Sequence, residues 1–497
     1  PYDEARRVYR VRLDTGLDAR QAGSQTELMK RAVLAAAAEH DVVRWFTDRD
    51  GAVRAAIAIT DDDEIRVLHR ARVGRPFEAL LTGTAQDPPP WLPLGFDTDG
   101  RNLLVISTKE AAPSMFRYDP IERRRGKRIF TSDSAHVQGV FTGVDGRPAG
   151  VITVRRGFNQ REYFGHDDRA LVRSLAQRLD RNVLVLDRSL DGSALLILAE
   201  SPSDPGVYYH YDVGQAAVHK IAEVAPELTQ AGLAPVHVLR VQSGGHLVEA
   251  FLAVPPSDTP PPLVVLPHGG PIGVSDVRHF NPEVQYLASA GLAVLQVNYR
   301  GSMGYGEAFL ESGKGEWGRG IEDDVDAAVT AAIASGRVDG ERVCIAGASY
   351  GGYSALMSVI RHPKRYRCAA ALAAPTDIPL MFSTSDFART KEGRARFAEL
   401  VGDPDAQYVK LRNRSPVYWA DRIQVPVHIA HGLKDRRVDP EHSLRMLLML
   451  DALDADYVWE PYPKQGHSGW SAARERAFHR SRLRFLLKHL KGARARR

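Results

Sequence analysis

Val343-Cys344-Ile345-Ala346-Gly347-Ala348-Ser349-Tyr350-Gly351-Gly352-Tyr353 is the stretch that decides the fold. Four apolar residues lead into Gly-x-Ser-x-Gly, and a helix-like run, Tyr350–Arg361, follows at once. A serine hydroxyl is a weak nucleophile, so it must stand on a sharp strand-to-helix turn where a base can reach it. Small residues two positions to either side, here Gly347 and Gly351, let strand and helix approach closely enough to make that turn. The five-residue pattern is weak alone. Between a strand and a helix it predicts Ser349 as the nucleophile of a serine hydrolase.

The surroundings of that turn alternate in type. From about residue 233, apolar strand-like runs occur at 263–267, 293–297, 343–347, 368–373, 425–430 and 457–460. Helix-like segments lie between them, among them Asp323–Ser335, Tyr350–Arg361, Glu441–Leu453 and Ala472–Leu490. Strands alternating with helices predict a mostly parallel sheet covered on both faces, the α/β-hydrolase architecture. The Pro-rich stretch 255–262 follows strands around Val236–Val254 and reads as a hairpin loop at the sheet edge. The domain boundary therefore falls near 232, giving domains 1–232 and 233–497.

The base and its orienting acid are expected after Ser349 in the order Asp, His, each on a loop following a strand. Asp435 lies in His431-Gly432-Leu433-Lys434-Asp435, beyond the run Val425–Ala430. His467 lies in Gln465-Gly466-His467-Ser468-Gly469, before the last helix. The competitors sit in the wrong places. His428 is inside a strand, His479 and His489 are on the terminal helix, and Asp439 reads as the cap region of the next helix. His467 would take the Ser349 proton and return it to the leaving group, with Asp435 fixing its tautomer.

An oxyanion hole needs two donors. The backbone N–H of Tyr350, the residue after the nucleophile, supplies one; a loop after an earlier strand, here His268-Gly269-Gly270-Pro271, supplies the other. The loop is explained by its backbone rather than by the His268 imidazole. Gly301-Ser302-Met303-Gly304-Tyr305-Gly306 has neither dinucleotide nor P-loop spacing. Asp61-Asp62-Asp63-Glu64 reads as a solvated hairpin tip rather than a calcium site. No metal or cofactor motif is present, and none is expected.

The first half repeats. A polar turn ending in Gly, flanked by strand-like runs, occurs at Asp48-Arg49-Asp50-Gly51, Asp97-Thr98-Asp99-Gly100, Val144-Asp145-Gly146 and Leu190-Asp191-Gly192, with glycines 49, 46 and 46 residues apart. Gly accepts the positive φ of tight two-residue hairpins. A period of this length predicts one four-stranded propeller blade per repeat, hence an all-β N-terminal propeller of nearly five blades, with one or more blades missing. The runs Val8–Asp14, Met115–Asp119 and Tyr208–Asp212 read as outer strands. A helical insert is expected over His166–Arg181. The competing architecture is an irregular β-sandwich.

Composition sets the remaining bounds. With 497 residues, 44% apolar and 26% charged, the chain carries a sizeable core. No run approaches the eighteen or so apolar residues of a membrane span, so no membrane partner is expected. The formal charge of +5 is uneven: Arg474–Arg497 holds ten Lys/Arg and one acid, while the rest has 56 Lys/Arg against 60 Asp/Glu. That concentrates basic character on a C-terminal helix and tail, read as a solvated face rather than a nucleic-acid surface. Cys344 and Cys368 sit in apolar runs and read as buried thiols. Pro1 opens the chain without n- or h-region, which reads as a mature or trimmed form. The compartment stays open between cytoplasm and, after signal removal, periplasm or exterior. Homo-oligomerisation also stays open.

Together the motifs resemble the prolyl oligopeptidase family of serine peptidases, particularly its acylaminoacyl-peptidase and bacterial dipeptidyl-peptidase-like branch. They are HGGP (268–271), NYRGSMGYG (298–306), GASYGGY (347–353), HGLKDRRV (431–438) and GHSGW (466–470), spread over the whole hydrolase half. The resemblance implies cleavage of short peptides, with the propeller restricting access. It matches Ser349, Asp435 and His467 to the triad and Gly270 and Tyr350 to the oxyanion donors. It also matches Arg437 to an arginine that binds a substrate carbonyl, a structural ion pair being the alternative. The chain departs from the family in two ways. No acidic pair resembles the amine clamp of true dipeptidyl peptidases, and the first half is short of a full propeller. The S1 pocket is expected in the segment between the strands at 368 and 425, where Leu380, Met381, Phe382 and Phe387 are candidates, with packing under a lid an equal alternative. Two further readings are an esterase on the same triad and a propeller-based binding protein with a vestigial hydrolase.

Overall fold

The computed structural model describes residues 7–11, 32–37, 41–48, 50–60, 64–84, 87–97, 99–107, 114–132, 136–142, 148–189, 191–229 and 232–491. The turn Val144-Asp145-Gly146, the acids Asp61, Asp62 and Asp63, the run Arg12–Asp14 and the tail beyond Lys491 lie outside them.

The first half is a succession of antiparallel sheets, consistent with an incomplete propeller. A two-stranded sheet pairs β1 (Arg7–Val11) with β2 (Ala32–Ala37). Two four-stranded sheets follow. The first is β3 (Asp41–Thr47), β4 (Val53–Ile59), β5 (Ile65–His69) and β6 (Glu78–Gly83); the second is β7 (Trp91–Phe96), β8 (Leu103–Ser107), β9 (Ser114–Asp119) and β10 (Arg124–Thr131). Then come three strands, β11 (His136–Thr142), β12 (Pro148–Arg155) and β13 (Phe158–Tyr163), and helix α1 (His166–Leu179). A last four-stranded sheet is β14 (Asn182–Arg188), β15 (Ala194–Ser201), β16 (Asp204–Asp212) and β17 (Ala217–Glu223). Within each sheet strands pair in chain order, which is why the glycine turns recur at a fixed period: those at Gly51, Gly100 and Gly192 each join the first two strands of a sheet.

Those turns are longer than the two-residue hairpins expected. Gly51, Gly100 and Gly192 do take positive φ, at 73°, 61° and 74°. However, the Gly51 N–H donates to Asp48 O at 3.0 Å while Asp48 N–H donates to Ala52 O, closing a three-residue loop. At Gly100 and Gly192 the same turn sits in a four-residue loop closed by Asp97 N–H to Asn102 O and Ser189 N–H to Ala194 O. Side-chain acceptors hold the tips: Asp48 Oδ1 takes the Ala52 N–H and Asp99 Oδ1 the Asn102 N–H. The expected outer strands need a second correction. Met115–Asp119 and Tyr208–Asp212 lie in β9 and β16, each paired on both sides, because a further strand, β10 or β17, forms the edge of each sheet. Thr60 N–H donates to Glu64 O between β4 and β5.

The second half is an eight-stranded sheet in the order β18-β19-β21-β20-β22-β23-β24-β25. Its strands are β18 (Val236–Ser243), β19 (His246–Ala253), β20 (Pro262–Val265), β21 (Ala293–Asn298), β22 (Asp339–Ala348), β23 (Cys368–Leu372), β24 (Val427–Gly432) and β25 (Tyr457–Tyr462). The β18–β19 and β19–β21 pairs are antiparallel and the rest parallel. The Pro-rich stretch 255–262 is not an edge hairpin. It carries the chain from β19 across β21 to β20, which begins at its last proline, Pro262. The edge hairpin is β18–β19, turned at Gly244 and Gly245.

Helices α2 (Pro282–Ser289), α3 (Gly320–Ala334), α4 (Tyr350–Arg361), α5 (Ile378–Thr384), α6 (Lys391–Val401), α7 (Glu441–Ala452) and α8 (Ala472–Leu490) cover this sheet. Side chains alternate between its faces with period two. Val343 and Ile345 join the core with α3 and α4, while Cys344 and Ala346 join the core with α2 and α8. Burial on both faces is why these strands read as unbroken apolar runs; a fully buried Val or Ile stabilises by about 1.5–3 kcal/mol. Cys344 and Cys368 are register partners on β22 and β23 and form a disulfide, so the two buried thiols expected are one bond.

Contacts divide the chain into two compact units, residues 1–133, 137–152 and 161–169, and residues 134–136, 153–160 and 170–497. The second therefore includes β14–β17. There the Arg278 N–H donates to Gly157 O at 2.5 Å and the Arg156 N–H to Gly304 O at 2.8 Å, while His279 bonds Glu200 and the Asn159 N–H.

Candidate active site

Ser349 stands between β22 and α4 with φ 56° and ψ −124°, a conformation costly for a residue with a side chain. Its N–H donates to Leu372 O at 2.8 Å, and its C=O accepts the Tyr353 N–H at 3.0 Å. The flanking glycines are needed for space. A Cβ on Gly347 would overlap the Gly351 carbonyl, and one on Gly351 would overlap Pro267 O. The strain is thus held by packing on both sides of the turn.

The same close packing brings the predicted oxyanion loop to the serine. A Cβ on Gly269 would touch Ala348 O at 3.3 Å and Ser349 Cβ at 3.6 Å. Gly270 takes φ 124°, open only to glycine. The His268 imidazole is spent on holding this loop. Its Nδ1 lies 2.7 Å from Gly269 O and 2.9 Å from the Tyr299 hydroxyl, and its Nε2 lies 2.9 Å from Ser302 Oγ. Burial pushes its pKa down to about 4, so it is neutral near pH 7. Ser302 is thereby accounted for within the 301–306 loop.

Asp435 and His467 stand on the loops after β24 and β25. Gly432 lets these loops meet, since a Cβ there would lie 2.5 Å from Gln465 O and 2.6 Å from Gly466 O. Lys434 N–H donates to Gln465 O at 2.8 Å and Leu433 N–H to Tyr462 O at 2.9 Å. His467 Nδ1 then donates to Asp435 Oδ2 at 2.6 Å. Asp435 Oδ1 accepts the N–H groups of Arg437 and Val438 at 2.8 and 3.0 Å. Burial works to raise the Asp435 carboxyl. Hydrogen bonds from His431 and His467, the His467 charge and the Val438 N–H outweigh it and hold the carboxyl well below the usual carboxylate range. The structure joins His467 to Asp435 and not to Ser349: among the described residues, Ser349 Oγ and His467 share no hydrogen bond. Such contacts commonly tighten only with substrate bound.

The rejected candidates are occupied elsewhere. His428 Nε2 bonds Glu460 at 2.8 Å, and Asp439 Oδ1 takes the Glu441 N–H at 2.9 Å at the start of α7. Of the pocket candidates, Met381 and Phe382 are 4% and 3% exposed and belong to the core beside Phe397, whereas Leu380 and Phe387 are half-buried. Arg437 Nε pairs with Asp386 Oδ1 at 2.8 Å. The sequence did not single out Asp386 or the buried His431, which bonds Ser443 Oγ at 2.7 Å and Val438 O at 2.9 Å. His431 lay in plain view in the HGLKD motif; Asp386 carried no signal.

A serine on a strained strand–helix turn, with an Asp–His pair on the loops after two later strands, β24 and β25, of a mostly parallel sheet, is the α/β-hydrolase arrangement. Residues 278–493 match the model of the prolyl oligopeptidase family. That segment, less than half of the chain, is similar to the serine peptidases of that family. It is 28% identical over 477 residues to dipeptidyl aminopeptidase BIII of Pseudoxanthomonas mexicana, covering 91% of this chain and 67% of that one. The acylamino-acid-releasing enzyme of Sus scrofa is 30% identical over 240 residues, 46% of this chain and 32% of the other. The chain thus spans only about a third of this second relative. In fold it is similar to a puromycin-hydrolyzing peptidase of Mycobacterium tuberculosis, with TM-score 0.71 and 21% identity over 93% of this chain and 72% of that one.

Proposed function

We propose that this chain hydrolyses short peptides through Ser349, His467 and Asp435. His467 takes the Ser349 proton as the hydroxyl attacks the scissile carbonyl, and returns it to the departing amine. An acyl-enzyme on Ser349 is then hydrolysed by water activated by the same imidazole. The N–H groups of Gly270 and Tyr350 bind the oxyanion. The observations that carry this reading are the 2.6 Å Asp435–His467 bond and a serine held at positive φ at the strand–helix turn. With Nδ1 donating to Asp435, the neutral ring keeps Nε2 as the acceptor the mechanism needs.

Around this centre, Leu380 and Phe387 contribute to the S1 pocket, with Met381 and Phe382 supporting it from the core. Arg437 serves the substrate carbonyl when released from Asp386. The names of the relatives, a dipeptidyl aminopeptidase and an acylamino-acid-releasing enzyme, support substrates among peptides with free or acylated amino termini. The β-sheet half, residues 1–232, restricts access, and residues 233–497 carry the chemistry. Ser349→Ala should abolish turnover of chromogenic peptide amides and labelling by a fluorophosphonate; retained amide turnover would end the proposal. Matched ester and amide substrates separate it from an esterase, which would leave amide turnover near background.

A further inference from the structure

We infer that Glu322 is a positioning residue for the oxyanion site, acting through the side chain of Tyr350. The inference rests on the role proposed above for the Tyr350 N–H.

The Tyr350 hydroxyl donates to Glu322 Oε1 at 2.8 Å, and both residues are 1% exposed. The ring is held on three sides: Trp317 meets it edge-on at 4.6 Å between centroids, Tyr353 lies at 5.3 Å and Tyr299 at 5.7 Å. Tyr299 in turn stacks on His268 at 4.2 Å and donates its hydroxyl to His268 O at 2.7 Å. The two elements proposed to bind the oxyanion therefore share one aromatic wall, and Glu322 is the polar anchor behind it.

Glu322 is itself fixed. It lies in the first turn of α3, and two residues on, Asp324 accepts Arg300 Nε at 2.9 Å, Arg300 Nη2 at 2.6 Å and the Arg300 N–H at 2.8 Å. That tie joins α3 to the end of β21, the strand leading into the 301–306 loop. Burying an ionisable group this deeply is costly unless it is hydrogen-bonded. Here Oε1 meets the Tyr350 hydroxyl. Tyr350 is the first residue of α4, so a tilt of its ring turns the peptide that carries its N–H. Loss of the anchor should misalign an oxyanion donor while leaving ground-state binding intact.

The test measures kcat and KM for a peptide amide, and the inhibition constant of a peptidyl trifluoromethyl ketone, whose adduct carries an oxyanion. Tyr350→Phe and Glu322→Ala are each expected to lower kcat about tenfold, less than the loss from deleting a donor, with KM unchanged and the ketone weakened in step. Glu322→Gln, which keeps an acceptor, should recover to within about threefold of the parent, and the Tyr350→Phe/Glu322→Ala double variant should be no worse than the weaker single variant. If Glu322→Ala does not fold, Tyr350→Phe and Glu322→Gln carry the test. Full kcat and full ketone affinity in folded Tyr350→Phe, or a change confined to KM, would overturn the inference. Turnover retained in Ser349→Ala would overturn the proposed function instead; an inactive Ser349→Ala beside a fully active Tyr350→Phe overturns this inference alone.

Discussion

His467 Nδ1 donates to Asp435 Oδ2 at 2.6 Å, and Asp435 is already committed on its other oxygen to two backbone N–H groups. The carboxylate therefore cannot turn away, and the imidazole it holds has a single tautomer open to it. Asp435→Asn would present an amide N–H or a weaker acceptor to Nδ1. It should lower kcat by about 10⁴-fold with intact folding, measured as amide turnover beside a circular dichroism melt.

The elbow should be intolerant of even one added carbon. Gly351→Ala places a methyl against Pro267 O, and no flexible side chain is there to yield. The expected cost is about 1–3 kcal/mol of stability with turnover near background, read by urea unfolding and amide hydrolysis. Wild-type stability and rate in this variant would contradict the close approach.

His442 makes the fold acid-sensitive. Burial, then the nearby His431 and Arg445, push its pKa down to about 3, against the partial opposition of Asp435. Its Nδ1 accepts the Asp377 N–H at 3.2 Å, a bond that protonation would break. The unfolded chain takes up this proton near pH 6.5 and the folded one only near 3. Stability from this residue is thus complete above pH 6.5 and falls as pH drops toward 3, by up to about 1.4 kcal/mol per pH unit. Urea midpoints from pH 7 to 4 should fall more steeply for the parent than for a folded His442→Gln.

Arg437 and Asp386 form a pair with the arginine side chain 55% exposed, so it contributes little to stability, about 0–1 kcal/mol. Arg437→Ala should leave the melting temperature within a degree or two. If Arg437 binds substrate as proposed, KM should rise about tenfold, equivalent to one charged hydrogen bond.

The two phenylalanines proposed near S1 should separate. Phe382→Ala empties a core position beside Phe397 and should cost about 3–5 kcal/mol. Phe387→Ala, at a half-buried site, should cost much less and shift the preferred P1 residue in a peptide-library digest.

The sequence by itself determined the type and order of the hydrolase elements. Buried parallel strands are apolar throughout and helices are not, so α4 and α8 begin and end where the residue pattern places them. It also pointed to the proposed triad in the chain order Ser349, Asp435, His467, because the turn and the two post-strand loops each carry a local signature. In the first half it set the repeat, since a turn glycine at positive φ is a local demand, but not the loop length, which hydrogen bonding between strands decides. Tertiary structure alone decided who meets whom. Strand order puts β21 between β19 and β20, turning an apparent hairpin into a crossover. Register sets Cys344 opposite Cys368. Packing of α3 against α4 sets Glu322 behind Tyr350, and nothing local to either residue points to the other. Periodicity fixes which face a residue takes, whereas the neighbour across that face depends on how distant segments stack.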